Sequence, residues 1–145
     1  MEDLMDCTRD ILDMDRVALY EFDEKASVFM PRFAVGVSLS KLGHLSARSD
    51  HPFVKEALSS ENATATDGFI NAIGLPLAPG SIVCAPCLTN KTPIGYLFAA
   101  VDKKRAFTEE DLRVLGIMAF RAAEVLSVAR HIAKQGYLYN KLSFV

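Results

Sequence analysis

The chain lacks any cluster of basic residues, any long apolar run and any framework of cysteines, and each gap removes a class of function. Lys and Arg number 16 against 18 Asp and Glu, for a formal charge of −2. Proteins that grip phosphate backbones concentrate positive charge, so no direct nucleic-acid binding is expected. The most apolar stretch, residues 115–123, is broken by Gly116 and Arg121, whereas a helical span needs about 18 or more apolar residues in a row. No membrane contact by this domain is expected. The opening residues, MEDLMDCTRD, are acidic and polar, where a secretory leader is basic and then apolar. Cys7, Cys84 and Cys87 make an odd count with no regular framework, as suits free thiols in a reducing compartment. A cytoplasmic location is the expectation. A Gly-rich phosphate loop, a His-Glu-x-x-His metal motif and a serine nucleophile elbow are also missing.

What is present suits a single well-packed domain. Half of the 145 residues are hydrophobic, enough for a covered core. Residues 2–13 carry Leu4, Met5, Ile11 and Leu12 at roughly helical spacing. Residues 16–22 and 27–35 are rich in β-formers and flank a short polar loop, which predicts a hairpin. Residues 51–58 read as a short helix with Pro52 in its first turn, and 63–66 as a brief strand. Two clear strands, 81–88 and 93–101, flank the tight turn Thr89-Asn90-Lys91-Thr92. Gly95 within the second signals a bulge or a close backbone approach. Two connections, 37–50 and 69–79, are irregular. The second carries Ile70, Ile73, Leu75 and Leu77, unusual for a segment expected to face water.

The last element is a long helix. Thr108 is a good N-cap, and Glu109, Glu110 and Asp111 place negative charge on the first turn. Its apolar residues cover more than the arc of about 100° that one partner requires, which predicts a second partner. Strands bracketed by terminal helices predict an α+β fold with one largely antiparallel sheet. Cys84-Ala-Pro-Cys87 has the spacing of redox and metal motifs, but it lies in a predicted strand. Residues three apart in a strand point to opposite faces, so packed thiols are the simpler reading and no metal site is expected.

The segment Ser81-Ile-Val-Cys-Ala-Pro-Cys-Leu88, followed by Pro93-Ile-Gly-Tyr-Leu-Phe-Ala-Ala-Val101 and Phe107-Thr-Glu-Glu-Asp111, resembles the C-terminal half of a GAF domain. Val17-Ala-Leu-Tyr-Glu-Phe22 and Ala63-Thr-Ala-Thr-Asp67 extend the likeness more loosely. The resemblance implies a PAS-related fold: a central antiparallel sheet of five or six strands, with the N- and C-terminal helices on one face and a loop- and helix-roofed pocket on the other. It implies a GAF-like sensor domain over 1–135 and the start of a linker or tail over 136–145. Phe33, Phe53, Phe69, Ile70, Ile73, Leu77, Cys84, Tyr96 and Phe98 are the pocket candidates, set against ordinary core packing. His44, Arg48 and His51 cluster in the first roofing segment, where solvated loop polars are the commoner reading. Lys103 and Asp111 are the expected structural pair at the start of the last helix. Leu115, Ala119, Ala122, Leu126 and Ala129 are the expected dimer seam. The implied role is regulatory, not enzymatic. A small-molecule ligand, a homodimer and a covalently linked output domain are the implied partners, and the resemblance names no particular cofactor. A ligand-free dimerisation scaffold is the alternative. More remote is the methionine sulfoxide reductase branch, whose roof cysteines are missing from 37–50 and 69–79.

Overall fold

The computed structural model describes residues 1–46, 56, 59, 62–67 and 80–142. The expected helix 51–58, apart from Glu56, and the whole segment 69–79 lie outside the described residues. So do Arg48, His51, Phe53, Phe69, Ile70, Ile73 and Leu77.

Helix α1 (Glu2–Leu12) buries Met5, Thr8 and Leu12 on one stripe. The Thr8 hydroxyl donates to the Leu4 carbonyl at 2.7 Å, so its burial leaves no orphan donor. Asp13 ends the helix in the left-handed region at φ 52° and sends its N–H back to the last-turn carbonyls, a common C-terminal stop. Strands β1 (Arg16–Asp23) and β2 (Val28–Val35) form the expected hairpin. The Asp23 side chain closes their loop by accepting from the N–H groups of Lys25 and Ala26. Within the pair, Leu19 faces Phe33 while Tyr20 faces Pro31. Arg32 is therefore the extra residue of a bulge, a device that re-aims side chains.

Strands β3 (Leu45–Ser46), β4 (Thr64–Asp67), β5 (Ser81–Thr89) and β6 (Thr92–Val101) complete a six-stranded antiparallel sheet in the order β3-β2-β1-β6-β5-β4. Asn90 and Lys91 both have positive φ, 50° and 64°, as a two-residue turn matched to strand twist demands. β4 pairs with β5 only as far as Cys84. Two residues further along β5 stands Pro86, which has no N–H to offer a neighbour. Gly95 marks a close approach: a Cβ there would lie 2.3 Å from the Tyr20 carbonyl oxygen and 3.4 Å from Leu126 Cδ1.

Strand alternation divides the core into two layers. Val17, Leu19, Val83, Ala85, Cys87, Leu97 and Ala99 face the helices, while Ala18, Tyr20, Ile82, Cys84, Tyr96 and Phe98 face the other way. Both terminal helices cover the first layer. Helix α2 (Glu109–Leu142) opens with a reciprocal cap: Asp111 N–H donates to Thr108 Oγ1 at 3.1 Å, and Thr108 N–H donates to Asp111 Oδ2 at 3.0 Å. Two first-turn donors are thereby satisfied. The helix continues unbroken through Gly136 to Leu142.

Two side-chain expectations need correction. Lys103 is exposed, and the partner of Asp111 is instead Arg105, at 3.5 Å. Arg105 also donates to the carbonyls of Leu12 and Asp13 and lies 5.1 Å over the Phe107 ring. Its position between the end of α1 and the start of α2 lets one guanidinium serve both, a reach Lys103 lacks. The expected dimer seam is largely consumed inside the chain: Leu115, Ala119, Ala122 and Leu126 are buried against the sheet, and only Ala129 is exposed. Alanines at 119, 122 and 123 keep that helix face shallow, so the sheet takes it as its own cover.

Candidate functional site

The layer facing away from the helices is built largely of aromatic rings. β1 supplies Tyr20 and Phe22, β2 supplies Phe29, and β6 supplies Tyr96 and Phe98. Tyr20 and Phe98 meet edge-to-face at 5.3 Å, Phe29 and Tyr96 at 4.9 Å, and Phe22 tilts onto Phe29 at 5.0 Å. Tyr96 and Phe98, 6.4 Å apart, join these pairs into one run of five rings. Such geometry lets the positive edge of one ring meet the negative face of the next. The register explains it: Tyr20 stands opposite Tyr96, two residues before Phe98 on the same face. Tyr20 donates to the Gly43 carbonyl at 3.1 Å. Burial pushes its phenol up to about 12, and Tyr96 is raised further by burial and by the nearby Cys84 and Cys87. The wall is uncharged at neutral pH.

Where this wall reaches the surface, a cavity of about 360 Å3 opens, lined by Phe22, Glu24, Phe29, Thr92, Pro93, Ile94, Tyr96 and Arg130. Its size lies within the range of about 300–1,000 Å3 for small-molecule sites, as does its mix of apolar walls and few polar groups. Arg130 arrives from α2. It donates to Glu21 Oε2 at 2.8 Å and to the Phe22 carbonyl at 2.8 Å. Glu21 also accepts from Arg32 at 3.0 Å, which the bulge turns toward it. The strand tip that supplies Phe22 is thus tied directly to the long helix.

A larger concavity of about 700 Å3 lies elsewhere, lined by Asn62, Ala63, Pro86, Leu88, Glu109, Leu112, Gly116 and Phe120. It sits beside the first half of α2, and none of the five rings lines it.

Of the pocket candidates from sequence, Cys84, Tyr96 and Phe98 belong to the aromatic layer. Phe33 does not: the Arg32 bulge sets it with Val35 on the helix side. His44 is exposed. Phe22, Phe29, Tyr20 and Arg130 were not singled out, although alternation in Val17-Ala-Leu-Tyr-Glu-Phe22 puts both β1 rings on one face. Cys84 and Cys87 lie in opposite core layers, as expected for a strand. Burial raises both thiols, Cys87 to about 12 and Cys84 well above its ordinary value. Among the described residues no group of three or more His, Cys, Asp or Glu is placed to hold a metal.

The family model described as GAF domain matches residues 1–128. No curated protein sequence matches the chain. Among solved structures, the GAF domain/HD domain protein from Geobacter sulfurreducens is similar at 19% identity and a TM-score of 0.73, covering 89% of this chain and 90% of that one. The second GAF domain of DevS from Mycobacterium smegmatis is similar at 16% identity and a TM-score of 0.70, covering 91% and 94%. A type II free methionine-R-sulfoxide reductase from Thermoplasma acidophilum is similar at 17% and a TM-score of 0.66, covering 87% and 90%. At such identities the likeness is one of fold.

Proposed function

The chain belongs to the GAF domain family, and from that premise we propose that it is a regulatory sensory domain. In this reading a small, largely apolar molecule with aromatic character enters the crevice at Phe22, Phe29 and Tyr96. The observation that carries the proposal is Arg130, which lines that crevice and anchors α2 to the Phe22 carbonyl. A ligand that shifts Phe22 changes the footing of the helix, and α2 carries the change toward a covalently linked output domain. The Geobacter relative, a GAF domain/HD domain protein, supports such a linkage.

Titration calorimetry and thermal shift against nucleosides, tetrapyrroles, indoles and amino acids test this reading. A saturable ligand is expected, with affinity falling about tenfold or more in Phe22→Ala, since one buried ring contributes that much. A uniformly negative panel overturns it.

A second reading is self-association. Ile117, Phe120, Val125, Val128 and Ile132 are exposed on α2, and burying such a row against a second copy removes it from water. Light scattering at micromolar concentration is expected to give a dimer, and a strict monomer sinks this reading.

We read the domain as non-enzymatic despite its reductase neighbour. Thiol chemistry needs an accessible thiolate; Cys84 and Cys87 are buried in separate layers with raised pKa values, and the exposed Cys7 stands on α1, across the sheet from the aromatic crevice. Turnover of free methionine sulfoxide in the presence of a dithiol reductant is the assay that overturns this.

A further inference from the structure

The outward face of α2 has a pattern that fixes more than the fact of association. At about 100° per residue, Ile117, Phe120, Arg121, Glu124, Val125, Val128 and Ile132 fall within an arc of about 140°. Phe120 projects from it with 62% of its surface exposed. A hollow of about 400 Å3 lies farther along, lined by Glu124, Val125, Val128, Ala129 and Ile132. Between Phe120 and Val125 stand two unlike charges, Arg121 and Glu124. Both are exposed, and neither is in an ion pair among the described residues.

A two-fold interface uses the same patch twice, so the patch must be complementary to itself. Resting on the self-association proposed above, we infer that two copies of α2 pair antiparallel, with the two-fold axis at the level between residues 122 and 123. That register brings Phe120 and Val125 of the two copies to the same level, on the flanks of the seam. It sets Ile117 opposite Val128, and Arg121 opposite Glu124. Each contact occurs twice. A parallel, in-register pairing instead sets each residue beside its own copy, bringing two Arg121 together and two Glu124 together. Like charges so placed repel. The charge order along the helix therefore selects the antiparallel arrangement.

Distance measurement between spin labels decides the register. Cys7 is the exposed thiol, and Cys84 and Cys87 are buried, so Cys7→Ser leaves a background for a single label at His131→Cys, about two turns from the two-fold axis. In the antiparallel register residue 131 lies opposite residue 114, so the labels stand about 25 Å apart along the axis at 1.5 Å per residue. A parallel pair holds them at the interaxial spacing of about 10 Å. A dimer with the long distance is the expected result. A dimer with the short distance overturns the register and leaves self-association standing, while a monomer by light scattering overturns both. As a second arm, Arg121→Glu or Glu124→Arg alone should weaken the dimer by about tenfold, and the two together should restore it. Failure of that rescue overturns the Arg121–Glu124 pairing.

Discussion

The reciprocal cap at the start of α2 is the most sharply quantifiable local feature, because two side chains each satisfy the other's backbone N–H. Thr108→Ala removes one such bond, and loss of an N-cap hydroxyl costs about 1 kcal/mol. Asp111→Ala removes the other bond and also the negative charge that favours a helix N-terminus, worth about 0.3–1 kcal/mol. Its ion pair with Arg105 is partly exposed and adds a few tenths at most. Each single change should therefore cost about 1–2 kcal/mol, or about 3–6 °C in Tm for a domain of this size. The double variant should lose less than the sum, since the first change already breaks the box. The pH dependence gives an independent check. The backbone N–H of Thr108, and then its hydroxyl and Arg105, hold the Asp111 carboxyl below its ordinary 3.8 despite partial burial. A depressed folded value means that the stabilisation is fully present above the unfolded pKa and is lost as pH falls through the folded one. The Tm gap between wild type and Asp111→Ala should hold from pH 7 to about 5 and narrow below about pH 4. Thermal melts monitored by circular dichroism read both effects. A gap that stays constant down to pH 2, or no loss at pH 7, refutes the reasoning.

Other expectations follow from single positions. Lys91 sits at φ 64° in the β5–β6 turn, so Lys91→Gly should raise stability by about 0.5–1 kcal/mol in urea melts by relieving a left-handed conformation. Gly95→Ala should lower it by about 1–3 kcal/mol, because a Cβ there meets the Tyr20 carbonyl and the packed strand must move; unchanged stability counts against the close approach. In a native thiol titration at pH 8, Cys7 should react alone, since Cys84 and Cys87 are buried and raised. Reaction of a second thiol before unfolding contradicts their placement.

The elements that sequence resolves best here are those fixed by local chemistry. The Asn90-Lys91 turn, the Thr108 cap and the alternation of β1 each follow from a few adjacent residues. Partner choice does not. Asp111 pairs with Arg105 and not Lys103 because the end of α1 arrives from 93 residues away in sequence to share the same guanidinium. Phe33 changes faces because one extra residue, Arg32, enters the β1–β2 ladder. A bulge shifts every side chain beyond it relative to the partner strand, and no periodicity within β2 announces it.

The two-sided helix shows the same limit in another form. Its excess apolar arc predicted a second partner, and the exposed Ile117, Phe120, Val125, Val128 and Ile132 supply the surface for one. The seam residues chosen from sequence were the small and regular ones, Leu115, Ala119, Ala122 and Leu126, which the sheet claims. Two apolar stripes on one helix look equivalent in sequence; packing separates them. A flat sheet with Gly95 beneath Leu126 accepts a shallow, alanine-rich face, while the face with Phe120 and the β-branched residues projects too far to lie there. That sorting leaves the bulky stripe outward together with Arg121 and Glu124, the residues that give a pairing its direction. It also leaves Arg130 at one end of the central strands β1 and β6, where the same helix reaches the Phe22 carbonyl. Pressure on the aromatic crevice and pressure on the outward stripe therefore act on one rigid element, which is the physical requirement for a ligand to alter association.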